Sequence, residues 1–168
     1  MGHKKRLRVF LDSNVFIAGL AFPRWPYEIL KYGETQRIHI VLCPLVIEEV
    51  QTRIADIFPD YVNRCNRFIT DGSYKIVANP SKGELSKYPD LVRDKKDIPI
   101  ALAAIKAKVD YLVSSDKDLT AQDQTTEELR KYVQPLQPGT FLREVMGWTS
   151  EELEAIRYRT WHEMESTS

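Results

Sequence analysis

Two aspartates, Asp12 and Asp116, each stand directly after a short apolar run, LRVFL over 7–11 and YLVSS over 111–115. Runs of that length, rich in β-branched and aromatic residues, read as buried strands. If the strands are parallel, both carboxylates leave at carboxyl ends, the edge at which open α/β sheets bind their ligands. Carboxylates gathered in one place repel one another, and the usual remedy is a hard divalent cation, Mg²⁺ or Mn²⁺. A centre of that kind assists attack on phosphoryl and phosphodiester groups.

A third acid can be placed by periodicity. In PLVIEEVQTRIADIF over 44–58, Val46, Ile47, Val50, Ile54 and Ile57 recur at helical intervals and form one apolar stripe. At about 100° per residue, Glu49 lies about 110° from the centre of that stripe and Glu48 about 150°. Glu49 therefore flanks the packed face and is preferred as the inward acid, with Glu48 the alternative and a solvated or salt-bridged Glu49 the plainer reading. Asp97, directly before Ile98-Pro99 at the start of an Ala-rich helix, has the chemistry of an N-cap. Capping does not prevent it from serving a site as well, and Asp94 is the alternative acid in the same stretch. Asp116 and Asp118 follow a strand, where turn aspartates also occur for conformational reasons alone. Ser13 and Asn14 can bond the backbone in an Asx-type turn or orient the Asp12 carboxylate.

The elements that must position these acids follow in order along the chain. A first strand, 7–11, precedes one broken or two short helices over 15–33; a second strand, 38–43, precedes the helix that carries Glu49. A helix over 60–70 and a strand over 74–78 come next. The stretch 79–96 is polar and reads as a surface loop. A helix over 98–108 feeds the strand that ends at Asp116, a link that suggests βαβ units. A short helix over 126–131, a strand near 132–136 and a break at Pro138-Gly139 lead to an apolar stretch over 140–145. Thr149-Ser150-Glu151-Glu152 is a capping-box pattern, predicting a helix from Thr149 to about His162.

The 168 residues carry 24 Lys+Arg against 24 Asp+Glu and are 43% hydrophobic. That supports a buried core and excludes a binder recognisable by strong basicity alone. No apolar run approaches the 18 residues of a membrane span, and the start does not resemble a signal-peptide core, so a cytoplasmic protein is expected. Cys43 and Cys65 lack metal-ligand spacing and read as buried thiols, while His3, His39 and His162 are too far apart in sequence for a local zinc motif.

Asp12-x-Asn14 after a strand, Glu49 on a helix, Asp97 before an Ala-rich helix and Ser114-x-Asp116-x-Asp118 after a strand together resemble the PIN domain. The resemblance covers about residues 7–145, carried by VFLDSNVFI, PLVIEEV and KKDIPIALAAIKAKVDYLVSSDKDL in that order. It implies a three-layer α/β/α sandwich with a central, mostly parallel sheet. It also implies a ribonuclease centre in which Asp12, Glu49, Asp97 and Asp116 surround Mg²⁺ or Mn²⁺, with Asp118 matching the family's variable extra acid. Ser114 and Asn14 match the residues that support the last and first acids. Small prokaryotic members are similar to toxins of the VapBC type, held by a partner antitoxin, and similar domains form homodimers. This chain is longer than the smallest of them, which sets 1–148 apart as the nuclease-like part. Residues 149–168 are then a helical extension packed on the same domain, where Trp148, Tyr158 and Trp161 offer either a cover for a sheet face or a partner surface.

Phosphate contacts for RNA are expected from Arg93, Lys95 and Lys96 beside Asp97, and from Lys4, Lys5, Arg6 and Arg8 near the first strand. Two other classes compete. A haloacid-dehalogenase-like phosphatase would want a second Asp where Asn14 stands, and a PIN-fold scaffold that binds RNA or protein without catalysis would not need all four acids.

Overall fold

The computed structural model describes residues 6–165. In chain order its strands are β1 (Leu7–Leu11), β2 (Ile38–Leu42), β3 (Lys75–Ile76), β4 (Tyr111–Val113) and β5 (Gln134–Leu136). All adjacent pairs are parallel, in the order β3-β2-β1-β4-β5. Val9, Phe10 and Leu11 of β1 are fully buried, as suits a central strand covered on both faces.

Parallel pairing requires crossovers, and these supply the helices: α1 (Ser13–Ala21), α2 (Trp25–Glu34), α3 (Pro44–Ile57), α4 (Val62–Asp71), α5 (Lys82–Leu85), α6 (Ile98–Lys106), α7 (Lys117–Thr120) and α8 (Glu127–Arg130). After β5 come α9 (Pro138–Glu144), α10 (Ser150–Ile156) and α11 (Trp161–Glu165). Winding runs from β1 outward to β3 and then returns to β4 and β5. Right-handed crossovers thus set α1–α4 and α5–α8 on opposite faces, a three-layer α/β/α sandwich. The direction reverses between β1 and β4, and the crevice left there opens at the carboxyl ends of both strands.

Several boundaries differ from the sequence expectation, each for a local reason. The second strand ends at Leu42, because Cys43 is the N-cap of α3. The expected strand over 74–78 pairs only at Lys75 and Ile76, both exposed at the sheet edge. Ile57 is not part of the packed stripe of α3, since it is 57% exposed at the helix's last turn. The polar stretch 79–96 is not a plain surface loop. Ser81 and Glu84 form a reciprocal capping box that starts α5, Glu84 reaches Lys106 of α6 at 2.6 Å, and Leu91 and Val92 are buried. Pro138 opens α9 rather than breaking the chain, as its fixed φ and missing N–H suit a first helical turn.

The predicted C-terminal helix is two helices, α10 and α11. Its capping box is present: the Thr149 hydroxyl accepts from Glu152 N and the Glu152 carboxylate accepts from Thr149 N. Gly147, at φ +82°, turns the chain toward it. The indoles of this region meet α1 and α2 and not an open sheet face. Trp148 Nε1 donates to the Tyr32 hydroxyl at 2.8 Å and Trp161 Nε1 to the Ala21 carbonyl at 2.9 Å. The Trp161 ring also lies against Tyr27 and under the Arg64 guanidinium, while Tyr158 stays 71% exposed.

Candidate metal centre

Asp12 continues the sheet by its backbone, its N–H donating to the Val113 carbonyl at 3.0 Å, and begins α1 by its side chain. Oδ1 accepts from Ser13 N at 2.8 Å, and Oδ2 accepts from the Ser114 hydroxyl at 2.7 Å and from Asn14 Nδ2 at 3.3 Å. Burial pushes this carboxyl above the usual carboxylate range; the bonds from Ser114 and Ser13 oppose that, and the charges of Glu49 and Asp116 reinforce it.

Ser114 is fully buried and links the two strand ends. Its oxygen donates to Asp12 and accepts from Asp116 N at 3.0 Å, while Asn14 Oδ1 accepts from Ser115 N at 3.2 Å. Ser114→Ala therefore strips a donor from Asp12 and an acceptor from Asp116. The expected result in calorimetry is Mn²⁺ binding weakened about 10–100-fold, the usual cost of losing a partner that orients a ligand.

Asp116 caps α7 through Oδ1, which accepts from Asp118 N at 2.8 Å, so one carboxylate oxygen is committed to the turn and the other is not. Asp97 departs from the N-cap expectation. It closes a 3₁₀ turn over Lys95–Asp97 with helical backbone angles and makes no side-chain cap bond, and Pro99 already removes one of the donors a cap would serve. Its Oδ2 is buried and receives no hydrogen bond from the described residues. Burial first, then the close approach of the Asp116 carboxyl, then the charges of Asp116, Asp12 and Asp94 push Asp97 up to about 7.

Asp94, weighed as an alternative to Asp97, faces the same space. One of its oxygens accepts from Lys96 N at 3.0 Å to cap the 3₁₀ turn. Carboxylate oxygens of Asp94, Asp97 and Asp118 lie within 4.8 Å of one another, and no group of three acids containing Asp12 or Asp116 is that tight among the described residues. Glu49, not Glu48, completes the wall on α3.

A cleft of about 440 Å³ between α1, α3 and the start of α6 has Asp12, Asn14, Glu49, Asp94, Asp97 and Asp116 on its surface, while Asp118 stands outside that lining and meets Asp94 and Asp97 at its edge. A divalent cation fits this set. The donors are all oxygen, the neighbouring acids raise the proton affinity of Asp12 and Asp97, and the buried Asp97 oxygen has no hydrogen-bond partner among the described residues.

Two cations share the lining, Lys96 and Arg53. Arg53 went unnoticed in the sequence although it stands four residues after Glu49, the interval that puts both on one face of α3. Arg93 and Lys95 are exposed outside the lining. The other expected basic cluster lies elsewhere: Arg6 bonds Gln36, and Arg8 bonds the Ala107 carbonyl near the amino end of β1. Lys4 and Lys5 fall outside the described residues.

The PIN domain family matches residues 8–118 of the chain. No curated protein matches it. Among solved structures, PAE2754 from Pyrobaculum aerophilum superposes with a TM-score of 0.57 at 14% identity, covering 84% of this chain and 97% of that one. VapBC2 from Rickettsia felis, solved bound to a DNA fragment from its promoter, gives 0.54 at 16% identity over 78% of this chain and 98% of the other. FitAcB from Neisseria gonorrhoeae gives 0.54 at 14% identity, over 78% and 98%. At these identities the likeness speaks for the fold.

Proposed function

The chain belongs to the PIN domain family, and on that premise we propose that it is a metal-dependent endoribonuclease. The observation that carries this reading is the Asp97 carboxyl, pressed against other acids with one oxygen buried and without a hydrogen-bond partner among the described residues. A protein gains nothing from that arrangement unless a cation or a proton occupies it. Asp12, Asp97, Asp116 and Asp118 are the proposed ligands of Mg²⁺ or Mn²⁺, and Asp94 joins them because of its nearness to Asp97 and Asp118. The bound ion would supply Lewis-acid stabilisation of phosphate charge and a more acidic water. Glu49, on the facing wall, would position a water for attack on the phosphodiester. Ser114 and Asn14 hold Asp12 in register.

Arg53 and Lys96 counter the acids and take non-bridging phosphate oxygens. Arg53→Ala and Lys96→Ala are each expected to raise KM for RNA about tenfold with a smaller change in kcat. Lys131→Ala, whose ammonium pairs with Glu128 at 2.7 Å outside the cleft, serves as control.

The reading extends to the toxin of a toxin–antitoxin pair, acting in the cytoplasm as a homodimer with a cognate antitoxin; its support is the fold shared with VapBC2 and FitAcB. No described helix is long and apolar enough to cross a membrane. The direct test is incubation of the protein with single-stranded RNA in Mn²⁺ or in chelator. Cleavage in Mn²⁺ alone, leaving 5′-phosphate and 3′-hydroxyl ends, is expected. RNA that stays intact in both, with Mn²⁺ bound, would remove the nuclease reading in favour of the scaffold.

A further inference from the structure

A second concavity, of about 350 Å³, opens beside the acidic cleft on the β4–β5 side. The two adjoin through Ser115, which follows Ser114 and precedes Asp116 and lines the second space. Its N–H donates to Asn14, which lines the first. The spaces differ in chemistry. Among the described residues, five carboxylates face the cleft, whereas Arg143 is the one charged residue lining its neighbour.

The floor is apolar and rigid. Trp25 Nε1 donates to the Leu153 carbonyl at 2.9 Å, which fixes the indole, and Gly139 packs so closely on the ring that a Cβ there would sit 3.0 Å from it. Pro138 and Leu153, both buried, complete the base. Around the rim stand Ser115, Gln137, Thr140 and Arg143, a set of hydroxyl, amide and guanidinium groups. The single ion pair of Arg143, to the adjacent Glu144 at 3.6 Å with both side chains half exposed, is too weak to hold it away from an incoming anion.

We propose that this pocket takes one unstacked nucleobase of single-stranded RNA, the base next to the scissile phosphodiester, and that it sets the cleavage preference. An apolar floor with a polar rim matches the flat faces and hydrogen-bonding edge of a base. The lone cation matches the flanking phosphate, and the Ser115 junction places the pocket beside the acids. The inference rests on the ribonuclease reading and adds the source of its selectivity.

The test uses the full chain with Mn²⁺ and short single-stranded RNAs that differ at each position around the cut, together with versions abasic at one position. The wild type is expected to prefer particular bases at one position flanking the cut, and to lose at least tenfold in kcat/KM, through KM, when that position is abasic. Thr140→Phe, which fills the pocket, and Arg143→Ala, which empties its rim, are each expected to raise KM for intact RNA about tenfold and to flatten the preference. Mn²⁺ calorimetry on both variants checks that the acidic centre is unaltered. Equal cleavage of abasic and intact RNA at every position, or an unchanged preference in both variants, would overturn the inference and leave the pocket to a protein partner. RNA left uncut by a wild type that binds Mn²⁺ would instead bring down the nuclease reading, and the inference with it.

Discussion

Asp12→Asn is expected to abolish Mn²⁺ binding in calorimetry and to lower kcat/KM for RNA by more than about a hundredfold, since even partners of ligands cost 10–100-fold. The substitution is nearly isosteric and keeps the oxygen that caps α1 through Ser13 N. What it removes is a charge that burial and the neighbouring Glu49 and Asp116 already disfavour, and relief from that cost offsets the acceptor taken from Ser114 and Asn14. Thermal stability without metal should therefore hold or rise in the variant while activity disappears. That opposition separates a site residue from a structural one: loss of both stability and activity would mean that Asp12 serves the fold. Asp116→Asn is expected to behave alike, with its α7 cap kept by the remaining oxygen.

The second large effect concerns pH and metal together. Folding lifts the Asp97 carboxyl from an ordinary 3.8 to about 7, so between those values the native state holds more protons than the unfolded chain. Stability then falls as pH rises through that window and levels off above it. Without metal, the difference in melting temperature between wild type and Asp97→Asn should accordingly widen from pH 4 to pH 7, in the variant's favour, and then stay constant. Subtracting the variant removes the opposite slope of groups such as Glu84, which Lys106 first of all holds down at about 2. Mn²⁺ at a hundred times its Kd, added at pH 8, should raise the wild-type midpoint by about 5–10 °C, from a linkage of about 2.7 kcal/mol, and leave Asp97→Asn nearly unmoved. A flat difference curve with no metal response would remove Asp97 from the centre.

Much of the arrangement was legible because buried elements carry strong patterns. LRVFL declares a central strand by being apolar at every position but Arg8, and the stripe of α3 puts Glu49 nearer the packed face than Glu48 by angle alone. The Asp97 position was harder, since an aspartate before Ile-Pro satisfies the capping rule. What decides against a cap is the backbone of the preceding 3₁₀ turn, which has no separate signature in composition, joined to the donor that Pro99 lacks, which the sequence does show. The stretch 79–96 hid its order for a related reason: α5 is one turn long, too short for periodicity, and its capping box and the Glu84–Lys106 pair were masked by the surrounding polar residues. Arg53 was visible at its interval from Glu49 but carried no meaning until the acids opposite it were in place.

The central position of β1 also governs when this protein can become active. Asp12 is made early, yet the hydroxyl that holds it belongs to Ser114, 102 residues later, and the strand that flanks β1 on that side is β4. Domains form as their segments emerge from the ribosome, and contacts so distant in sequence are slow to close. A nascent chain that has finished β3 has its acids dispersed and one flank of β1 unpaired, a hydrophobic edge open to wrong partners. If the chain cleaves RNA as proposed, it is thereby kept inert beside the messenger that encodes it until β4 docks, while that same interval is the one in which the growing chain is most exposed to aggregation.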